Sequence, residues 1–143
     1  MPLDNYPYEY SGNAICIVSR DAGSSRKHKA KNRSESNIIQ YKVDGVIIRQ
    51  NTACDFIVTN EEKKTAYLIE LKGCRIADAA VQLMSTADTL RNELEYYTCL
   101  NFRIVASKCT THQLEDVYVK KLRRRYRKQN QVVIKENLIK EDI

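Results

Sequence analysis

A charged four-residue turn between two apolar, β-like runs constrains the fold of this chain more than any other feature of its sequence. Residues 53–73 read ACDFIVTNEEKKTAYLIELKG, and Glu61 to Lys64 can form the turn. The strands on either side then pair in a register that places Asp55 opposite Glu70. Residues directly opposite each other on antiparallel strands have Cβ atoms about 5 Å apart. The sequence therefore predicts a β-hairpin whose open end brings two carboxyl groups together.

The second strand of this hairpin ends in two charged residues on the same face. Because side chains alternate along a strand, Glu70 and Lys72 share one face, and Ile69 and Leu71 lie on the other. Charged groups are costly to bury unless they are paired, and two adjacent carboxylates repel each other unless a cation lies between them. The carboxyl groups of Asp55 and Glu70, with the nearby lysine, predict a metal site with an amine beside it.

This arrangement resembles the PD-(D/E)XK nuclease superfamily, which includes restriction endonucleases and Holliday-junction resolvases. Asp55 matches the family's metal-binding aspartate, Glu70 its second acidic residue and Lys72 its lysine. Cys54 stands where the family often has proline, a position that tolerates substitution. The resemblance implies an α/β fold with a restriction-endonuclease-like core, in which a central mixed β-sheet is flanked by helices in the order βββαβ.

The residue types indicate the chemistry. Asp55 and Glu70, with a backbone carbonyl near Leu71, offer hard oxygen ligands that suit Mg²⁺ or Mn²⁺. Such an ion polarises a phosphate and lowers the pKa of a bound water. Lys72 would orient that water or stabilise charge that develops in the transition state. We expect a metal-dependent endodeoxyribonuclease that hydrolyses phosphodiester bonds.

Two further residues are candidates through the resemblance. Gln82 follows Lys72 by ten residues, where some branches of the superfamily carry a Q-x-x-x-Y motif on a helix, although the fifth position here is Thr86. Gln82 would support the lysine or contact DNA, or it is an ordinary helix-flank glutamine. Glu35 lies upstream, where the family often has a helix glutamate that completes the metal shell, and its surroundings could form one helical turn.

The formal net charge of +6 is clustered in two segments. Residues 24–34, which include Arg26 and Lys27, contain little to bury and are predicted to form a mobile basic arm or loop. Residues 113–128 are predicted to form a helix whose exposed face binds DNA. The basic candidates on this face are Lys120, Lys121, Arg123, Arg124, Arg127 and Lys128. A polyanion is the natural partner of such a surface, because each neutralised phosphate releases counterions. The alternatives are a solvated face and an import signal.

Composition predicts a single cytoplasmic domain over residues 1–143 that does not enter a membrane. No run approaches the roughly 20 apolar residues of a membrane span, and the first ten residues are too acidic and aromatic for a signal peptide. Five cysteines without a C-x-x-C pair favour reduced, buried thiols over disulfides or zinc. A domain of this length has one active site, so cutting both strands would favour a homodimer.

Periodicity predicts the remaining elements. Residues 13–19 read as a first or edge strand, and the run 38–50 reads as two strands joined at Asp44-Gly45 or as one bent strand. A helical stripe extends from Ile76 to about Tyr97. Residues 101–107 read as a buried strand, residues 131–135 as an edge strand and residues 136–143 as a frayed tail.

Three functions of different classes remain open from the sequence. The first is a metal-dependent nuclease, either structure-specific like a Holliday-junction resolvase or active in phage defence. The second is a non-catalytic nucleic-acid-binding subunit of a larger complex. The third is a protein-interaction module whose basic helix docks on an acidic partner.

Overall fold

The computed structural model describes residues 3–73 and 75–143, so our expectation of a buried thiol at Cys74 lies outside the described residues. The strands are β1 (Tyr10–Gly12), β2 (Cys16–Arg20), β3 (Lys27–Lys31), β4 (Ile38–Lys42), β5 (Phe56–Asn60), β6 (Thr65–Lys72), β7 (Cys99–Ala106), β8 (Val132–Glu136) and β9 (Leu138–Asp142). The helices are α1 (Ile76–Thr89), α2 (Arg91–Leu94), α3 (Thr111–Leu114) and α4 (Val117–Arg125).

Within the described residues, these strands form one six-stranded and one three-stranded sheet. The larger sheet has the order β1-β4-β5-β6-β7-β8. Its pairings are antiparallel from β1 to β6 and parallel from β6 to β8. Helix α1 connects β6 to β7, and helix α4 connects β7 to β8. The predicted α/β class with a mixed sheet and helices is therefore confirmed.

The central strand β6 is covered on both faces. Leu68 belongs to the core that includes Leu83 of α1 and Leu122 of α4. Ile69 points the other way and belongs to the core that includes Ile17 of β2 and Ile139 of β9. Helices therefore cover one face of the larger sheet, and the three-stranded sheet covers part of the other.

The predicted register of the β5–β6 hairpin is confirmed. Asn60 pairs with Thr65 and Phe56 pairs with Ile69, with the charged turn between them. Lys64, the last residue of that turn, has a φ of 53°. The chain enters the hairpin at Asp55, next to the end of β6.

The prediction of a mobile basic arm over residues 24–34 is wrong. Strand β3 occupies the middle of the three-stranded sheet, antiparallel to β2 and parallel to β9. Its side chains alternate: His28 and Ala30 are fully buried, whereas the flanking lysines are half-exposed. The lysine stems leave their charged ends in solvent while the alternate positions pack inward.

The prediction of a frayed tail over residues 136–143 is also wrong. Strand β9 pairs with β3, and Ile143 is buried. Glu141 accepts hydrogen bonds from Arg103 of β7, at 2.7 Å from Nε and 2.9 Å from Nη2. It also lies 2.7 Å from Nε2 of the fully buried His28. This network joins the tail to both sheets.

Two other predicted elements differ from the structure. No second strand follows β4 in residues 46–50: the backbone N–H groups of Ile47 and Ile48 both donate to the carbonyl of Val43, which makes a turn there. The long helix ends at Thr89, and the short α2 follows it.

Three other predicted elements are present with adjusted bounds. The strand predicted over 13–19 is β2, the one over 101–107 is β7, and the one over 131–135 is β8. The basic helix is divided into α3 and α4, because the Asp116 side chain accepts the N–H of Tyr118 and caps a new helix.

In the described part of the chain, no helix is both long and apolar enough to cross a membrane. Cys16, Cys54, Cys99 and Cys109 carry free thiols. The thiol of Cys54 is buried, whereas that of Cys16 is exposed. Burial of the Cys16 thiol, which the sequence favoured, is therefore not found.

We expect Glu141→Ala to lower the free energy of unfolding by about 3 kcal/mol, because it leaves the charge of buried Arg103 without its partner. Burial alone would raise the pKa of Glu141, but hydrogen bonds with His28 and Arg103 lower it to about 2. Stability from this carboxylate is therefore present at neutral pH and lost as the pH falls below the ordinary glutamate pKa toward 2.

Urea unfolding at neutral pH measures this loss, with Lys140→Ala as the control at the exposed neighbouring position. The control should remain within about 0.5 kcal/mol of the wild type. Equal effects of the two substitutions would show that the network does not hold β9 in place.

Candidate active site

The backbone of β6 fixes the carboxyl group of Asp55. The Asp55 N–H donates to the carbonyl of Ile69 at 3.1 Å, and the Asp55 carbonyl accepts the N–H of Val43 at 2.9 Å. Oδ2 of Asp55 accepts the N–H of Leu71 at 2.9 Å. The carboxyl group therefore lies against the last residues of β6, and hydrogen bonds to the backbone of that strand hold it there.

Glu70 is buried beside Asp55, with only 2% of the residue exposed. Burial and, after it, the negative charge of Asp55 raise the pKa of Glu70 to about 9, although the positive charge of Lys72 opposes the shift. A hydrogen bond joins the two carboxyl groups. At neutral pH, Glu70 therefore holds its proton and shares it with Asp55.

The pKa of Asp55 is also raised. Burial is the main cause, the hydrogen bond from the Leu71 N–H opposes it, and the charge of Asp21 adds to it. Lys42 lowers the pKa of Asp55 from the other side. The ionised forms of both carboxyl groups are disfavoured, and a cation bound between them would stabilise both negative charges.

Lys72 is half-buried at the end of β6, and its charge acts on Glu70 as the sequence predicted. Leu71 lies between them, with its side chain in the core on the other face of the sheet. The Glu70-Leu71-Lys72 segment thus presents two ionisable groups on one face of the sheet, and the Leu71 side chain anchors it on the other face.

Helix α1 holds the segment that precedes Asp55. The N–H of Cys54 donates to the Thr86 hydroxyl at 2.8 Å, and the Ser85 hydroxyl donates to the carbonyl of Thr52 at 2.9 Å. Gln82 Nε2 donates to the carbonyl of Ala53 at 3.3 Å. Gln82 therefore positions the chain that leads into the site, and Thr86, one turn further along α1, does the same.

The residues present fit a divalent cation. Oε1 of Glu70 and Oε1 of Gln82 are buried oxygen atoms without a hydrogen-bond partner. Within residues 3–73 and 75–143, no group of three or more His, Cys, Asp and Glu side chains is arranged to hold a metal. The protein would therefore supply Asp55 and Glu70 as its carboxylate ligands, with the backbone near Leu71 as the predicted third donor.

Glu35 does not belong to this site. It lies before β4 in a turn, with a φ of 54°, and no helix forms there. Ile38 at the start of β4 pairs with Asn60, whereas Lys42 at its end pairs with Phe56 beside the site. At about 3.3 Å per residue, β4 alone puts roughly 13 Å between Glu35 and the carboxyl pair. The expectation that Glu35 completes the metal shell is therefore wrong.

The sequence analysis missed Asp21 and Lys42. Lys42 Nζ lies 3.4 Å from Oδ1 of Asp21 and 4.7 Å from the ring centre of Phe56, the residue after Asp55. A cavity of about 450 Å³ opens here, and Arg20 also lines it. The contact between Asp21, which follows β2, and Lys42 of β4 joins segments that are distant in sequence. No local sequence pattern therefore predicted this cleft.

The predicted nucleic-acid-binding residues occupy two places. The six basic candidates on and after α4 are all exposed, on the helical side of the sheet. Arg26 instead lies near the end of β6 that carries Glu70 and Lys72. Its Nη1 donates to the hydroxyl of Ser107, which directly follows Ala106, the partner of Lys72 in β7, at 2.8 Å. Lys27, the first residue of β3, follows it.

Comparison of the chain with protein-family models, curated protein sequences and solved structures gave no significant match.

The metal-free protein should become less stable as the pH rises from about 4.5 to about 9, because Glu70 binds a proton in the folded state that the unfolded chain releases. Glu70→Gln removes this cost. We expect the variant to exceed the wild type in free energy of unfolding by a few kcal/mol near pH 8 and to equal it near pH 4.5.

Urea unfolding in EDTA at several pH values tests this expectation, with the exposed Glu95→Gln as control. A Glu70→Gln variant that is less stable than the wild type near pH 8 would mean that Glu70 is ionised in the folded protein.

Proposed function

We propose that this protein is a metal-dependent nuclease that hydrolyses phosphodiester bonds in DNA, with a fold like that of the PD-(D/E)XK superfamily. The observation that carries the proposal is the Asp55–Glu70 carboxyl pair at the end of a central strand, with Glu70 buried, Asp55 half-buried and Lys72 beside them. The elements β4, β5, β6, α1 and β7 follow in this order, with only the four-residue α2 between α1 and β7, and this supports the βββαβ core that the resemblance implies.

A pair of hydrogen-bonded carboxyl groups that is largely removed from solvent lowers the free energy of unfolding, so stability alone does not explain it. A surface pair of charges contributes little to stability, and a buried pair of like groups costs free energy unless its charges are compensated. Carboxyl groups with strongly perturbed pKa values are characteristic of functional sites. A cation that both groups bind would remove the cost.

Each residue has a role that follows from its place. Asp55 and Glu70 would hold Mg²⁺ or Mn²⁺, which when bound supplies a Lewis acid and a water of lowered pKa. The Lys72 ammonium lies where it can stabilise negative charge on the phosphate. Gln82 and Thr86 are positioning residues, because they act on the backbone that leads to Asp55.

The phosphate backbone near the cut would bind to the basic groups at the catalytic end of the sheet. Arg20 and Lys42 line the cleft that also contains Phe56, the residue after Asp55, and Arg26 lies beyond Lys72 near the end of β7. Cations on both sides of the carboxyl pair would guide a polyanion across it. Cleavage of both strands would require two copies of the chain, as in a homodimer.

A second candidate is a nucleic-acid-binding subunit without catalytic activity. The observation that favours it is the surface of residues 120–128, of which seven in nine are Lys or Arg. This surface is exposed whatever the state of the carboxyl pair. Such a subunit would bind DNA in the absence of a divalent ion and would not cut it.

We expect the wild-type protein to cut DNA in Mg²⁺ or Mn²⁺ but not in EDTA. Asp55→Asn, Glu70→Gln and Lys72→Gln should each reduce the cleavage rate by about 100-fold or more. DNA affinity in EDTA should change little. Supercoiled plasmid, linear duplex and a four-way junction are the substrates, and gel electrophoresis measures the products.

Lys64→Gln is the matched control for Lys72→Gln, because it removes one positive charge from the exposed turn of the same hairpin. It should cut at the wild-type rate. Full metal-dependent cleavage by Lys72→Gln would contradict the assigned role, and binding without cleavage by the wild type would favour the second candidate.

A further inference from the structure

Four basic side chains form a stripe along one flank of α4 and the residue pair that follows it. Lys120, Arg123, Arg124 and Arg127 are spaced as i, i+3, i+4 and i+7, and they line a groove of about 350 Å³. Nε of Arg127, just past the helix, donates to the carbonyl of Arg124 at 2.9 Å. We call these four residues the basic stripe.

The basic stripe faces the outer edge of the larger sheet. Val119 and Leu122 anchor the buried side of α4, and Arg125 pairs with Asp88 of α1 on the other flank. On the stripe's own flank, Arg123 Nη1 donates to the carbonyl of Val132 at 3.0 Å. Val132 is the first residue of β8, an outer strand of the sheet.

The stripe lies too far from the carboxyl pair to bind the phosphate that is cut. Glu70 pairs with Ile104 of β7, which pairs with Ile134 of β8. With strands about 4.8 Å apart and packed layers about 10 Å apart, the stripe lies roughly 15 to 20 Å from Glu70. Successive phosphates of one strand lie about 3.4 Å apart along the duplex axis, so this separation corresponds to about five base pairs.

We propose that the basic stripe binds the flanking backbone of the same DNA duplex, about five base pairs to one side of the cut. This inference rests on the proposed nuclease function for the position of the cut. The stripe thereby sets a minimum length of duplex on one side of the catalytic carboxyl groups. The chemistry fits, because guanidinium and ammonium groups bind phosphate oxygens, and such contacts fix the position of a protein on the duplex without reading its sequence.

The test compares the wild type with the triple variant Lys120→Gln, Arg124→Gln, Arg127→Gln, which leaves the hydrogen bond of Arg123 to β8 intact. DNA binding is measured in Ca²⁺ on duplexes of about 6, 12 and 20 base pairs. The readout is the ratio of wild-type to variant affinity at each length, because the number of possible binding registers is the same for both proteins. A thermal melt establishes that the variant folds.

The ratio should be smallest on the shortest duplex, which cannot reach the basic stripe and the carboxyl pair together, and should reach at least about tenfold on the longest, where the salt slope should fall by about three. The control variant Lys64→Gln, Lys140→Gln, Arg33→Gln carries the same charge change at exposed positions elsewhere, and its ratio should not depend on length.

A ratio that is equal at all lengths would overturn the proposal, whether that ratio is one or larger. This outcome can be told apart from a failure of the proposed function, which would be the absence of cleavage by the wild type in Mg²⁺. On a long end-labelled duplex, the wild type should leave about five base pairs uncut at one end, and the triple variant should cut closer to it.

Discussion

Strand β6 is buried on both faces, and the two layers that cover it determine where the other elements pack. Leu68 and Ile69 point in opposite directions, and each needs its own apolar layer. Helices α1 and α4 provide one layer. The smaller sheet of β2, β3 and β9 provides the other, and the Glu141 network attaches it to β7. Without the second layer, Ile69 and Leu71 would be exposed to solvent.

The same burial produces the chemistry of the site. Glu70 follows Ile69 on a strand that both layers cover, so its carboxyl group has lost nearly all contact with solvent. Asp55 is brought against it by the hairpin register and by the N–H of Leu71. Two such groups cannot both ionise without a compensating cation, and they share a proton instead. Binding of a metal ion would therefore displace that proton.

The parts of the fold that could be predicted from the sequence are those set by local patterns. The charged turn fixed the hairpin register, and alternation identified the buried and charged faces of β6. Strand β9 could not be foreseen, because its pairing with β3 joins segments more than 100 residues apart. In β3, the inward positions are His28 and Ala30, neither of which marks a strand by hydrophobicity.

Two site residues illustrate the same limit. Glu35 was a candidate through resemblance alone, and the turn that it occupies lies at the wrong end of β4. The charges of Asp21 and Lys42 act on Asp55. They lie where β2 meets β4, and there Gln40 of β4 donates to the carbonyl of Val18 and to the hydroxyl of Ser19. This contact between β4 and β2 helps to set which charged groups lie near Asp55. It could not be predicted from the periodicity of either segment.

The proposed function requires that a divalent ion replace the proton that Asp55 and Glu70 share. Calorimetric titration with Mn²⁺ near neutral pH, in buffers of different ionisation enthalpy, measures this replacement. We predict release of about one proton for each ion bound, and loss of that release in Glu70→Gln. Binding of Mn²⁺ without proton release, or no binding at millimolar Mn²⁺, would contradict it.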